Sequence, residues 1–206
     1  MRHLKTLGLA VMAIAALAAF AGASSASAAE FHATAVGTAF TGEQTTSHKF
    51  TVTGSSVTCT TAKFTGKTEA LTTTTQKAHP EYSGCTAFGF VGATVNTAGC
   101  QYVFHANTGT VDLTSCTSGE IVITASSVFG KCVIEIPNQN GINGQTFSTG
   151  GVAPNRDVVV TTNSTNIKDT VTTSTGICPL AVGSHTNATY TGTTTVDPAS
   201  GEIWYT

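Results

Sequence analysis

The sequence predicts an all-β fold: an antiparallel β-sandwich or barrel-like domain of about 10–12 short strands with three disulfides. Three observations carry this expectation. Apolar residues alternate with threonine or another polar residue at period two along most of the chain, and 41 of the 206 residues are threonine. Turn residues recur at intervals of about 8–12 residues, the spacing of hairpin-connected strands. Six cysteines, an even number, follow a leader of the kind that directs export.

The leader comes first. Arg2, His3 and Lys5 form a basic start, and Leu7 to Ala21 form an apolar run of about 15 residues. That length suits a signal peptide and falls short of a bilayer-spanning helix. Ala26-Ser27-Ala28 fits the small-residue cleavage rule, so residues 1–28 are expected to be removed between Ala28 and Ala29. No cysteine follows the run for lipid attachment, and the C-terminal GEIWYT is not a hydrophobic tail, so a released chain with no membrane span is expected. Residues 29–46 read as a lead-in and 47–206 as a single β domain.

Within that domain the alternation predicts strands at 47–53, 56–64, 66–75, 88–95, 101–106, 109–114, 120–125, 131–136, 157–162, 166–173, 186–196 and 202–205. Thr53-Gly54-Ser55, Ala98-Gly99, Asn107-Thr108-Gly109 and Asp197-Pro198-Ala199-Ser200-Gly201 supply turns. Threonine keeps one face of each strand extended and wet without charge, because it is β-branched and carries a hydroxyl. The core is expected from the other face, with Phe50, Val52, Phe64, Phe90, Val95, Tyr102, Phe104, Leu113, Ile123, Ile134, Val160, Val171, Tyr190 and Trp204 among its members. A short echo runs through these strands: Phe40-Thr41-Gly42, Phe64-Thr65-Gly66 and Tyr190-Thr191-Gly192, with Tyr82-Ser83-Gly84 a near copy. An inward aromatic beside a glycine bulge explains it, and the unequal spacings argue against a tandem repeat.

Cys59, Cys85, Cys100, Cys116, Cys132 and Cys178 lie at least 15 residues apart, without the close pairs that a metal site uses. Six cysteines allow fifteen connectivities. One pair has a local argument: Cys100 and Cys116 are equidistant from Thr108, the centre of a turn, and so face each other at the mouth of a hairpin. Sequential closure would then join Cys59 to Cys85 and Cys132 to Cys178.

Charge and motifs narrow the function. Only 10% of residues are charged, and the chain after residue 28 has 7 basic against 11 acidic residues, a net charge of 7 − 11 = −4. No cationic surface for nucleic acid follows from that balance. The nucleophile elbow, the zinc-protease helix motif, the phosphate loop and the dinucleotide fingerprint are absent. His79 and His105 read as surface or structural histidines, and Glu135, between Ile134 and Ile136, as a solvated strand charge. No cofactor or metal is expected. The most unusual stretch is 137–145, PNQNGINGQ, where Asn138, Gln139, Asn140, Asn143 and Gln145 concentrate amides in a loop. Such a loop can bond sugar hydroxyls, or simply turn the chain.

Cys59-Thr-Thr-Ala, Tyr82-Ser-Gly-Cys85, Gly99-Cys100-Gln-Tyr, Cys132-Val-Ile-Glu-Ile-Pro and Ile177-Cys178-Pro together resemble a group of uncharacterised secreted six-cysteine, Thr/Gly-rich β-proteins of high-GC actinobacteria, over roughly residues 47–196. The resemblance implies export and disulfides and supplies no activity. The expectation is therefore a secreted, non-catalytic binding or structural protein, with a cell-wall component, polysaccharide or protein as ligand. A hydrolase assembled from distant loops is the alternative.

Overall fold

In a computed structural model, residues 28–117 and 119–206 are described; the expected signal segment lies outside the described residues except for Ala28. The described chain contains fifteen strands and no helix. They are β1 (Phe31–Ala33), β2 (Ala39–Val52), β3 (Ser55–Lys67), β4 (Thr72–Thr73), β5 (Thr75–Ala87), β6 (Val91–Asn96), β7 (Gln101–His105), β8 (Thr110–Thr114), β9 (Glu120–Ser127), β10 (Gly130–Pro137), β11 (Gln139–Ile142), β12 (Gln145–Gly150), β13 (Asp157–Ser174), β14 (Gly183–Pro198) and β15 (Ile203–Tyr205).

Eight of them close an antiparallel barrel in the order β5, β3, β2, β14, β13, β10, β9, β6, with β6 returning to β5. Closure leaves this ring without a free edge. Two of its strands, β5 and β13, take new partners beyond the ring. Residues 75–78 of β5 pair with β7, which leads to β8 and β11, while residues 157–162 of β13 pair with β12. The Gln145 N–H donates to the Gly109 carbonyl at 3.0 Å and ties the β7–β8 hairpin to β12. Gly109 has φ +61° and a Cβ there would lie 2.6 Å from the Gln145 oxygen, so this junction requires glycine. A three-stranded sheet, β15-β1-β4, sits over this second storey.

The period-two pattern is realised as barrel-in, solvent-out. Phe50, Val52, Val57, Ile121, Ile123, Ile134, Ile136, Ile167 and Val171 are buried together in the ring. Two expected core residues are not there. Phe90 is 74% exposed, because Phe88-Gly89-Phe90 is a turn with positive φ at Phe88 and Gly89, and β6 starts only at Val91. Trp204 lies outside the core, stacked on His32 and covered by the Arg156 guanidinium 3.9 Å from its ring.

Residues 29–46, expected as a lead-in, carry β1 and the first half of β2, and Phe31, Ala33 and Phe40 are buried. The expected strand 66–75 is replaced by the end of β3, a connection and the two-residue β4, and the strand is β5 instead. Pro80 and the lack of clear alternation concealed it. Proline is tolerated in this central strand because one flank of β5 changes partner there: residues 75–78 pair with β7, residues 85–87 pair with β6, and Pro80 falls between the two ladders.

The aromatic-Thr-Gly echo has a more specific cause than bulging. The copies in β2 and β3 pair with each other in unbroken register: Phe40 opposite Gly66, Thr41 opposite Thr65, Gly42 opposite Phe64. A Cβ on Gly66 would lie 2.3 Å from Phe40 Cζ, so the absent side chain is the seat of the ring. A bulge occurs only at the third copy, where the β14–β2 register shifts between Thr191 and Thr193, across Gly192.

Disulfides join Cys59–Cys85, Cys100–Cys116 and Cys132–Cys178, leaving no free cysteine. Cys59 and Cys85 stand directly opposite in β3 and β5. Three disulfides suggest an oxidising environment.

Candidate functional site

An eight-stranded ring is just wide enough for side chains to fill, or for them to leave room for one small ligand. Here the interior is incompletely filled. A cavity of about 130 Å³ runs inside the protein, roughly ten times the space that one water needs. Towards the β2–β3 turn the interior is plugged by Val52, Ala87, Val91, Ala125, Cys132, Val171 and Leu180, all buried and none lining the cavity. In the other direction the cavity reaches Phe31, Ala33, Thr68, Ala70, Thr73 and Gln76, beneath the small sheet.

Its wall is aromatic. Ring contacts link His48 to Phe64 at 5.5 Å, Phe64 to Tyr82 at 6.1 Å, Tyr102 to Phe104 at 6.2 Å, Phe104 to Phe147 at 6.2 Å and Phe147 to Phe31 at 5.0 Å. Most are edge-on, the arrangement that aromatic quadrupoles favour. Tyr82, Tyr102, Phe104, Phe147 and Tyr190 line the cavity and keep accessible surface there. No Asp, Glu, Lys or Arg lines it.

A hydrogen-bonded chain crosses this wall. Thr194 Oγ1 meets His48 Nε2 at 3.1 Å, His48 Nδ1 meets the Tyr190 hydroxyl at 2.5 Å, Tyr190 meets Tyr82 at 2.8 Å, and Tyr82 meets Tyr102 at 3.1 Å. Burial lowers the His48 pKa, against a smaller upward pull from the Thr193 carbonyl, so the imidazole is neutral. Burial raises the pKa of Tyr102 and pushes those of Tyr82 and Tyr190 well up, so the phenols are neutral as well. Each of these five neutral groups brings one N–H or O–H proton, and the four links use four of them. One donor in the chain is left for an acceptor outside it, and the Thr193 carbonyl beside His48 is such an acceptor.

A second polar group lies on the same wall. Gln145 is buried; its Nε2 donates to Ser164 Oγ at 2.7 Å and its Oε1 accepts from Thr162 Oγ1 at 2.7 Å. Of the amides expected to face a ligand, Gln145 therefore turns inward. Gln139 is engaged with the Lys168 backbone, accepting from its N–H at 3.0 Å and donating to its carbonyl at 3.1 Å. Asn138, Asn140 and Asn143 are exposed around a surface hollow shared with Thr165, Asn166 and Lys168, with no aromatic ring among its lining. The segment read as a loop forms β11 and the start of β12, and it seals the wall between β8 and β13.

Sequence reasoning marked Tyr82 only as an inward aromatic of the echo and gave no role to it, to His48 or to the chain that joins them. The signal for His48 was present: His48, Phe50 and Val52 are in phase, and all three are buried. The strand that carries Tyr82, β5, was hidden. Elsewhere, His105 pairs with Asp112 at 2.9 Å, both partly exposed, and His185 with the buried Asp169 at 3.2 Å. Among the described residues neither of these histidines has a Ser, Thr or Cys on its other ring nitrogen. No group of three or more His, Cys, Asp or Glu side chains among the described residues is placed to hold a metal ion. No protein-family profile, curated protein or solved structure matches the chain.

Proposed function

We propose that this is a secreted, non-catalytic binding protein that carries one uncharged, largely apolar molecule inside its barrel. The carrying observation is the cavity itself: aromatic, without a charged lining residue, and crossed by a neutral hydrogen-bonded chain. Such a site rewards an apolar body through burial. It penalises an ionised ligand, whose charge would be buried unpaired. Export rests on the leader and agrees with the disulfides. The hollow at Asn138, Asn140 and Asn143 lacks an aromatic platform on which a sugar could stack.

Native mass spectrometry of the oxidised protein tests this. Incubation with equimolar sets of neutral and carboxylated molecules of matched size is expected to give a 1:1 complex with neutral members only. Uptake of carboxylated members in preference, or of none, would overturn the proposal.

A further inference from the structure

The end of the barrel away from the small sheet is chemically unlike the rest of the surface. Four connections converge on it: residues 53–54, 88–90, 128–129 and 175–182. Val52 pairs with Ser55, Ala87 with Val91, Ser127 with Gly130 and Val171 with Gly183, so all four turn at the same end. Their sequences are Thr-Gly, Phe-Gly-Phe, Val-Phe and Thr-Gly-Ile-Cys-Pro-Leu-Ala-Val, without a single charged residue. Four large apolar side chains project from them: Phe90 (74% exposed), Val128 (94%), Phe129 (77%) and Val182 (64%).

These tips are held out, not loosely exposed. The Phe129 N–H is capped by Ser127 Oγ at 3.1 Å, and the Lys131 N–H donates to Thr175 Oγ1 at 2.9 Å. The Cys132–Cys178 disulfide fastens the 175–182 connection to the same hairpin.

We propose that this end docks reversibly on a lipid bilayer, with Phe90, Val128 and Phe129 entering the headgroup–acyl boundary. Three features select lipid over a protein partner. The four side chains expose on the order of 500 Å², below the roughly 800 Å² per partner of a stable protein interface but sufficient for reversible interfacial binding. They stand on three separate connections, Phe90 on one, Val128 and Phe129 on the next and Val182 on the third, an arrangement that a fluid interface accommodates and a rigid partner would have to match with separate pockets. The charge distribution also fits: the chain after the leader is acidic, yet these connections bear no carboxylate, and the cation flanking them, Lys131, is exposed. Apolar insertion provides the attraction, so binding should depend little on salt.

The test is flotation of the oxidised protein with vesicles of phosphatidylcholine alone and with one-third phosphatidylglycerol, at low and high salt. The wild type is expected to float with both. The variant F90S/V128S/F129S is expected to partition at least tenfold more weakly, and V36S/L71S, at the small-sheet end, to behave as the wild type. A single variant, Val128→Trp, gives a readout that does not depend on the triple variant folding: its added emission should shift to the blue on vesicles and be quenched by brominated acyl chains. Failure of the wild type to float, equal flotation of the triple variant, or an unquenched tryptophan at position 128 would overturn the proposal. So would self-association in sedimentation that the triple variant abolishes, because the end would then be an interface between copies. None of these outcomes depends on whether the cavity binds a ligand.

Discussion

Replacing Gly192 by alanine should dismantle the polar chain on the cavity wall. Gly192 lies in β14 with its face flat against the His48 ring; a Cβ there would sit 2.6 Å from His48 Cγ and Nδ1 and 2.7 Å from Cδ2. The backbone at Gly192 has no positive φ, so the penalty is steric alone. The ring has little room to retreat: it is 97% buried, given its 3% exposure, with Phe64 and Tyr190 packed on it at 5.5 and 5.4 Å. Overpacking of this kind costs about 1–3 kcal/mol. If the ring moves, its links to Tyr190 and Thr194 break, each leaving a buried polar group unpaired at about 1–3 kcal/mol. A loss of about 3–5 kcal/mol follows, since relaxation relieves one cost while incurring the other. Urea unfolding at neutral pH with disulfides intact measures it. The double variant H48A/G192A removes the ring that collides, so alanine at 192 should cost about 1 kcal/mol or less in that background, a coupling of at least about 2 kcal/mol. A G192A protein within about 0.5 kcal/mol of the wild type, or additive single and double variants, would refute this reasoning.

Further outcomes follow from the same structure. His48 is a base whose folded pKa lies below its unfolded value near 6.5; its contribution to stability is therefore present above that value and lost as pH falls through the folded pKa. His48→Gln should flatten the decline of Tm below about pH 6.5, whereas an unchanged slope would exclude His48 as its source. The disulfides close sequence separations of 26, 16 and 46 residues, each removing about 3–4 kcal/mol of unfolded-chain entropy in the loop-closure model. Reduction should accordingly abolish the native circular dichroism at moderate temperature, and a reduced, alkylated chain with an unchanged spectrum would contradict it. Trp204, the only tryptophan, stacks between His32 and Arg156, with Arg156 held by Glu202 at 3.0 Å. Arg156→Ala should change the emission of Trp204 without unfolding the barrel, and an identical spectrum would show that the guanidinium does not cover the indole in solution.

The parts of the fold that were legible in the sequence are those governed by local alternation. Phe50-x-Val52, Ile121-x-Ile123 and Ile134-x-Ile136 each announced an inward face, and each is buried. The Cys100–Cys116 pairing was legible because its hairpin is local. What stayed hidden depends on partners distant in sequence. Pro80 is acceptable only because β5 exchanges β7 for β6 around it, a fact about three strands at once. The amide-rich segment looked like a free loop because nothing nearby reveals that Gly109 and Ser164 await Gln145. The candidate site was least legible of all. His48, Tyr82, Tyr102 and Tyr190 come from four strands distant in sequence, and only the folded sheet brings them together. The glycine of the third echo motif was visible, but not the ring that it shelters.

The occupancy of the barrel is decided most directly by an equilibrium titration of the oxidised protein with the neutral fluorophore N-phenyl-1-naphthylamine, in parallel with Val160→Trp. Val160 lines the cavity from β13, opposite Phe147, so an indole there takes up the space that the ligand requires. A cavity that binds an uncharged apolar molecule predicts saturable 1:1 enhancement for the wild type and at least a tenfold weaker response for the folded variant. Equal binding by the two proteins, or no saturable binding by the wild type to this or any neutral probe of similar size, would contradict it.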